Sequence, residues 1–233
     1  MIHIGLSGYS YKPWVGRFYP EDTKPDGYLA YYGTRYETVE MDGTWYRMPS
    51  EKAVETWLAN TPEQFWFVPK AHRDITHRAR MKPESYGSMK FMLERLSPMA
   101  KAGRLGPMLV QLPPNLKRDD DRLKSFLEGI PQGQRYAFEF RNATWNCAEV
   151  VEILRGANAA WVASETDEDD LVHHDPADFW YVRLRKSSYD DAALKAWAEK
   201  FLASQKECFV FCKHEDEGAP WEWADRLLEL VGR

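Results

Sequence analysis

The sequence predicts an α/β fold, a single-domain (β/α)8 TIM-like barrel. Three observations carry that expectation. Eight short runs rich in β-branched and aromatic residues recur from one end of the chain to the other. Amphipathic helical patterns lie between almost all of them, and strict alternation of strand and helix is the signature of a parallel sheet. From the first run to the last the mean spacing is about 29 residues, one βαβ unit. A chain of 233 residues then has close to the size of a closed eight-unit barrel, about 250 residues. An open doubly wound sheet is the alternative. No G-x-G-x-x-G follows the first run, which counts against its dinucleotide-binding form. No Gly/Ser/Pro-rich linker divides the chain, so one domain, residues 1–233, is expected.

The elements follow in order. Residues 2–8 form the first strand, and a long aromatic segment, 9–20, comes after it. Residues 28–36 make a helix built from aromatics, and 38–42 the second strand. The helix at 50–61 places Val54, Trp57 and Leu58 on one face, with Ser50 as its N-cap. Strand 65–71 leads to a helix over 83–101 with Met89, Met92, Leu93, Leu96 and Met99 on one stripe, ended by Gly103. Strand 108–112 precedes helix 119–130, which carries Leu123, Phe126, Leu127 and Ile130. Strand 136–141 and helix 148–154 come next, then strand 160–165. The crossover at 166–178, TDEDDLVHHDPAD, has no amphipathic stripe and is expected as an acidic loop replacing a helix. Strand 179–185, helix 190–204, strand 208–213 and helix 221–231 complete the pattern.

Composition narrows the class. Hydrophobic residues make up 44% and charged residues 29%, a foldable composition. Aromatics reach 14%, with 10 Trp, 12 Tyr and 11 Phe, which excludes disorder. The net charge of −5 argues against a basic coat for nucleic acid or membrane, though not against a local basic pocket. No apolar run approaches the ~18 residues that span a bilayer. The N-terminus, Met1-Ile2-His3-Ile4, has no basic or apolar leader pattern, and the cytoplasm is the expected location. Cys147, Cys208 and Cys212 form no C-x-x-C pair and are expected as structural thiols.

The candidate site follows from strand alternation. In the second strand Thr38, Glu40 and Asp42 share the face opposite Val39 and Met41. In the fifth, Ala137, Glu139 and Arg141 oppose Phe138 and Phe140. In the seventh, Tyr181, Arg183 and Arg185 oppose Trp180, Val182 and Leu184. Lys70, Gln111, Glu165 and Lys213 lie at or near the ends of the other strands. Barrel interiors are normally branched and apolar, and barrel active sites lie at the C-terminal strand ends. Charges on the inner face must pair with each other, with water or with a ligand. A purely structural network, Glu139–Arg183 and Glu40–Arg141, is one reading. A site that uses the network is the other, because the charges converge at one end.

Lys70, Arg141 and Arg183 then form a cationic floor for an anion, and Glu40 and Glu139 serve as acid and base. His77 adds a further base or metal ligand, and equally reads as an ordinary loop histidine. His173 and His174 read as solvated members of the acidic loop. His214-Glu215-Asp216-Glu217 reads as a charged loop rather than a metal cluster. No cofactor motif appears, and a divalent metal held by Glu40, Asp42, Glu139 and His77 is a minor variant. Tyr9 and Trp14 in the first loop, with Trp45, Tyr46 and Trp145 after other strands, offer flat faces to a sugar or base, or else pack on one another.

Several motifs in a fixed order resemble the YecE-like family, a domain-of-unknown-function family, number seventy-two of that series. They are Gly5-Leu6-Ser7-Gly8-Tyr9 with Trp14, Gly16 and Phe18-Tyr19-Pro20, and Val39-Glu40-Met41-Asp42-Gly43-Thr44-Trp45-Tyr46. Phe67-Val68-Pro69-Lys70-Ala71, Ile75-Thr76-His77, Gly106-Pro107 and Gln111-Leu112-Pro113-Pro114 follow. Glu139-Phe140-Arg141-Asn142 with Trp145 and Tyr181-Val182-Arg183 close the series. The resemblance implies a TIM-like barrel and implies no reaction. Asp42 stands where the family usually has Asn, Asn142 and Arg185 where His is common, and Lys213-His214 where paired Asn is frequent. These positions rim the site, so they bear on substrate preference.

The favoured expectation is an enzyme acting on a small anionic or sugar-like ligand. Glu40, Glu139, Lys70 and His77 supply its chemistry. Tyr9, Trp14, Tyr46, Gln111, Arg141, Trp145, Arg183 and Lys213 bind the ligand. A nucleic-acid binding or processing protein, with bases stacked on aromatics, and a non-catalytic binding protein are the alternatives. No membrane partner is expected, and the sequence carries no sign of oligomeric state.

Overall fold

The computed structural model describes residues 1–213 and 218–233. The cluster His214-Glu215-Asp216-Glu217 lies outside the described residues. Eight parallel strands form a nearly closed barrel: β1 (Ile2–Ser7), β2 (Thr38–Met41), β3 (Trp66–Pro69), β4 (Met108–Gln111), β5 (Tyr136–Glu139), β6 (Ala160–Glu165), β7 (Phe179–Leu184) and β8 (Glu207–Cys212). Their spatial order is β3-β2-β1-β8-β7-β6-β5-β4. The ring shuts between β3 and β4 through single bridges, Phe67 to Leu105 and Lys70 to Leu109. There the Ala71 N–H donates to the Leu109 carbonyl at 2.8 Å.

The surrounding helices are α1 (Tyr28–Tyr32), α2 (Gly43–Tyr46), α3 (Glu51–Ala59), α4 (Tyr86–Lys101), α5 (Asp120–Gly129), α6 (Ala148–Gly156), α7 (Asp191–Ala203) and α8 (Pro220–Leu230). Caps mark three starts. Ser50, Asp119 and Asp190 each accept a backbone N–H three residues on, at 3.2, 3.0 and 2.7 Å. Gly103, just past α4, has φ +68°, the left-handed stop expected of glycine there. The expected helix over 28–36 is five residues long, Tyr28–Tyr32; Gly33 caps it, and Tyr36, buried like Tyr28, Leu29 and Tyr32, follows outside the helix. Residues 166–178 contain no helix.

The two faces of the strands differ as alternation requires. Val39, Phe67, Val110, Phe138, Val182 and Val210 belong to the layer packed against the helices. Val68, Leu109, Ala137, Val162, Tyr181 and Phe211 fill the barrel. At the N-terminal end Glu207 accepts a hydrogen bond from His3 at 2.8 Å and pairs with Arg135, which lies over the rings of Trp66, Phe179 and Phe209. Gly5 is required on β1, since a Cβ there would stand 2.2 Å from the Thr38 carbonyl oxygen.

One seam is short. β5 and β6 pair only through Ala137–Ala160 and Phe138–Trp161, while β6 continues along β7 to Glu165–Leu184. Beyond Phe138 the two strands separate toward their C-terminal ends. No helix follows β6 to cover the gap.

Candidate functional site

The inward residues at the C-terminal ends form one connected polar array, centred on Arg183. Its guanidinium is wholly buried (0% exposed). One terminal nitrogen donates to Glu139 Oε2 at 2.6 Å and the other to Glu40 Oε1 at 2.8 Å. Glu40 also accepts from Tyr181 at 2.7 Å and from the Ser7 hydroxyl. Glu139 accepts from Gln111 Nε2, 3.0 Å from each carboxylate oxygen, and lies 3.7 Å from Arg185. A charge removed from water is tolerated only when paired in this way.

The array corrects part of the sequence reading. The partner of Glu40 is Arg183, not Arg141, because β5 ends at Glu139 and leaves Arg141 exposed beyond it. Arg183 is enclosed between two carboxylates and does not present itself to an anion. Trp14 is buried among Tyr11, Phe18, Tyr19 and Trp221, beneath the loop it was expected to project from. Trp145 is also buried, its indole N–H donating to the Leu116 carbonyl at 2.7 Å. Both tryptophans brace the walls from behind.

Two cavities flank the array. One, of about 490 Å³, is lined by Tyr9, Tyr11, Asp42, Tyr46, Arg47 and Trp57, among others. The other, of about 320 Å³, occupies the gap between β5 and β6. Its lining includes Glu139, Phe140, Arg141, Asn142, Trp161, Ser164 and Arg185, and also Glu168, Asp169 and Asp170 of the acidic loop. Sequence reasoning missed this gap and the residues Trp161 and Ser164. The signal was present in the absent helix of 166–178, which leaves that wall uncovered.

Asp42 lines the first cavity, and Lys70 and Lys213 close on it. Lys213 Nζ donates to Asp42 Oδ2 at 3.1 Å, and Lys70 Nζ is 3.7 Å from Oδ1. Two of the positions that depart from the family pattern thus touch each other. Lys70 is anchored where the Thr44 hydroxyl bonds its carbonyl, at 2.7 Å, and its Nζ lies 5.5 Å from the Trp45 ring centre. His77 sits on a single π-helical turn, Asp74–Arg78. Its Nδ1 is 2.9 Å from Thr76 Oγ1 and receives the Trp45 indole N–H at 3.4 Å.

Electrostatics follow from this packing. Burial works to raise the Glu139 carboxyl, but Arg183, Arg185, Lys70 and Gln111 outweigh it and hold it below the usual range. Burial likewise works against charge on Asp42, and Lys213, Lys70 and Arg183 overcome it, so Asp42 is also an anion. The Lys70 ammonium is lowered, by burial first and by Arg183 second, against the pull of Asp42, Glu40 and Glu139. His77 is lowered by burial and by the charges of Lys70, Arg141 and Arg80, so it is neutral at pH 7. Among the described residues no cluster of three His, Cys, Asp or Glu has an arrangement that could hold a metal ion. Glu40, Asp42, Glu139 and His77 are therefore not gathered as ligands. No described helix is long and apolar enough to cross a membrane.

Comparison with known proteins places the chain. The model of the family described as "Protein of unknown function DUF72" matches residues 3–233. The UPF0759 protein YunF of Bacillus subtilis is 27% identical over 181 residues, 73% of this chain and 62% of that protein. The UPF0759 protein YecE of Escherichia coli K12 is 30% identical over 143 residues, 61% of this chain and 49% of that one. The matches thus span about half to three-fifths of those relatives. The crystal structure of a DUF72 family protein from Thermotoga maritima superposes with a TM-score of 0.84 at 24% identity, covering 100% of both chains.

Proposed function

The chain belongs to the DUF72 family, and from that premise we propose that it is an enzyme binding a small sugar-like ligand with one anionic group across the barrel mouth. The observation that carries this reading is the cavity between β5 and β6. Its lining holds a buried, ionised carboxylate, Glu139, two arginines, Arg141 and Arg185, and the loop carboxylates Glu168, Asp169 and Asp170, so the arginines are the groups that would take an anion there. Arginine pairs with the oxygens of a phosphate or carboxylate in two parallel hydrogen bonds. Phe140, packed against Trp145 and Trp161, gives the cavity an apolar side for a sugar ring, and Asn142 and Ser164 suit its hydroxyl groups.

The roles of the charged residues follow from their surroundings. Glu139 is held ionised, so it cannot give a proton; its place in the cavity lining, and not its lowered basicity, suits it to accept one from a bound hydroxyl. Glu40 is sealed beneath Arg183 and Tyr181 and acts by positioning them. Lys70, with a lowered ammonium, is the group suited to return a proton, and neutral His77 stands behind it. Tyr9, Tyr11 and Tyr46 form the opposite aromatic wall.

A thermal-shift screen of the purified protein with hexose and pentose phosphates, free sugars and polyols tests this. At least one sugar phosphate is expected to raise Tm, and Arg141→Ala to weaken that ligand about tenfold or more. Arg141 is exposed, so its removal leaves the fold intact. If every sugar phosphate and polyol leaves Tm unchanged, the proposal is wrong. Retained binding with unchanged turnover in Glu139→Gln removes Glu139 from the chemistry.

A further inference from the structure

Across the mouth from that cavity, Asp42 is surrounded by groups from four strand ends. Lys213 Nζ, after β8, lies 3.1 Å from Oδ2, and Ser7 Oγ of β1 lies 3.0 Å from the same oxygen. Lys70 Nζ, after β3, is 3.7 Å from Oδ1, and Arg183 of β7 is 3.9 Å from it. Three cations and a hydroxyl converging on one carboxylate are the parts of a binding site for a ligand's carboxylate or phosphate. Here the carboxylate belongs to the chain itself.

The fit is loose on one side. Oδ1 is buried and accepts no hydrogen bond from the described residues. Its two cations stand beyond hydrogen-bond distance. An anion free to choose its own position would bring Lys70 within reach, with Arg183, already bonded to Glu40 and Glu139, adding only its charge, whereas Asp42 is tethered by a single methylene to the end of β2. The remaining carboxylates of the array do not compete for this role, since Glu40 and Glu139 are joined to Arg183 directly.

We infer that Ser7, Lys70 and Lys213, backed by the charge of the enclosed Arg183, form an anion-binding site sized for a carboxylate or phosphate, and that the Asp42 side chain keeps it filled. A second anion brought to this flank meets Asp42 at contact, and like charges disfavour it. The flank therefore takes a neutral, hydroxylated part of a ligand and turns away an anionic one. The filled site exists whether or not a sugar phosphate binds across the mouth; only the statement that the ligand's neutral end faces Asp42 rests on the reading above.

Chemical rescue tests it on the whole protein. Asp42→Ala removes one carboxylate and leaves room for formate. Its Tm is expected to fall, and to recover in sodium formate but not in sodium chloride of the same ionic strength; the parent protein should respond equally to both salts. Asp42→Ser keeps a small polar group at the end of β2 while emptying most of the site, and serves should the alanine variant fail to fold. It is expected to bind inorganic phosphate at least about tenfold more tightly than the parent. Adding Lys213→Met to either variant should abolish the gain. If formate and phosphate act on the variants no more strongly than on the parent, or if the gain survives Lys213→Met, the assignment is overturned. Neither outcome depends on whether sugar phosphates bind.

Discussion

Arg183 is the residue on which the mouth turns. Its guanidinium, wholly buried, holds carboxylates from two other strands at 2.8 and 2.6 Å. Replacing it by Met leaves Glu40 and Glu139 buried without their cation. We predict a loss of about 3–5 kcal/mol, read from denaturant unfolding. Lys70 behaves in the opposite sense. Burial and Arg183 together make its charged form less favourable in the fold than in water. Lys70→Met is therefore expected to leave Tm unchanged or higher while weakening ligand binding, the signature of a group kept for function rather than for stability. Much of this array is legible in the sequence. Alternation along β2, β5 and β7 puts Glu40, Glu139 and Arg183 inside, and an inside charge must have a partner. Which charges meet is not legible, because that depends on how eight registers close into one ring. The sequence expectation of Glu40 with Arg141 failed for that reason, the strand ending two residues before the arginine.

Among the elements, the loop after β1 shows where residue type misleads. Five aromatics in twelve residues read equally well as a ligand platform or as packing. The structure divides them: Trp14, Phe18 and Tyr19 are buried, while Tyr9 and Tyr11 line a cavity. Trp14→Ala is thus expected to cost about 3–5 kcal/mol of stability, measured by urea unfolding, as a core truncation does. Gly8, at φ +85°, begins the loop, and a Cβ there would lie 2.4 Å from the Tyr11 hydroxyl oxygen. Gly8→Ala should lower Tm and displace Tyr11 from the cavity wall, seen as altered tyrosine signals by NMR. Strands and long helices were legible because their periodicity is repeated many times over. The π-turn that carries His77 and the early parting of β5 from β6 were not, since each is a local departure from regular structure with no periodic trace.

For the whole molecule, the polar clusters at both ends of the barrel make stability depend on acid. Glu207 at the N-terminal end is lowered from 4.5 to about 2, first by the hydrogen bond from His3 and then by Arg135. Glu139 at the mouth is lowered from 4.5 as well. In both cases the unfolded chain binds the proton more readily. Their contribution is therefore complete above about pH 4.5 and is lost as pH falls through the folded-state values. Urea unfolding between pH 5 and 2 is predicted to show stability dropping with pH, with a shallower slope in Glu207→Gln. An unchanged slope in that variant excludes Glu207 as a source. Arg183 has a mechanical meaning at this scale too. It ties β7 to β2 and β5 across the opening, like a rod through a hoop. The rim cannot widen without cutting that tie, and this holds for the parted edges of β5 and β6 too, since the Arg183–Glu139 pair spans that gap while β6 stays paired to β7. New ligand shapes should therefore be won by remodelling residues 166–178, and changes that enlarge the hoop itself should first have to replace the rod.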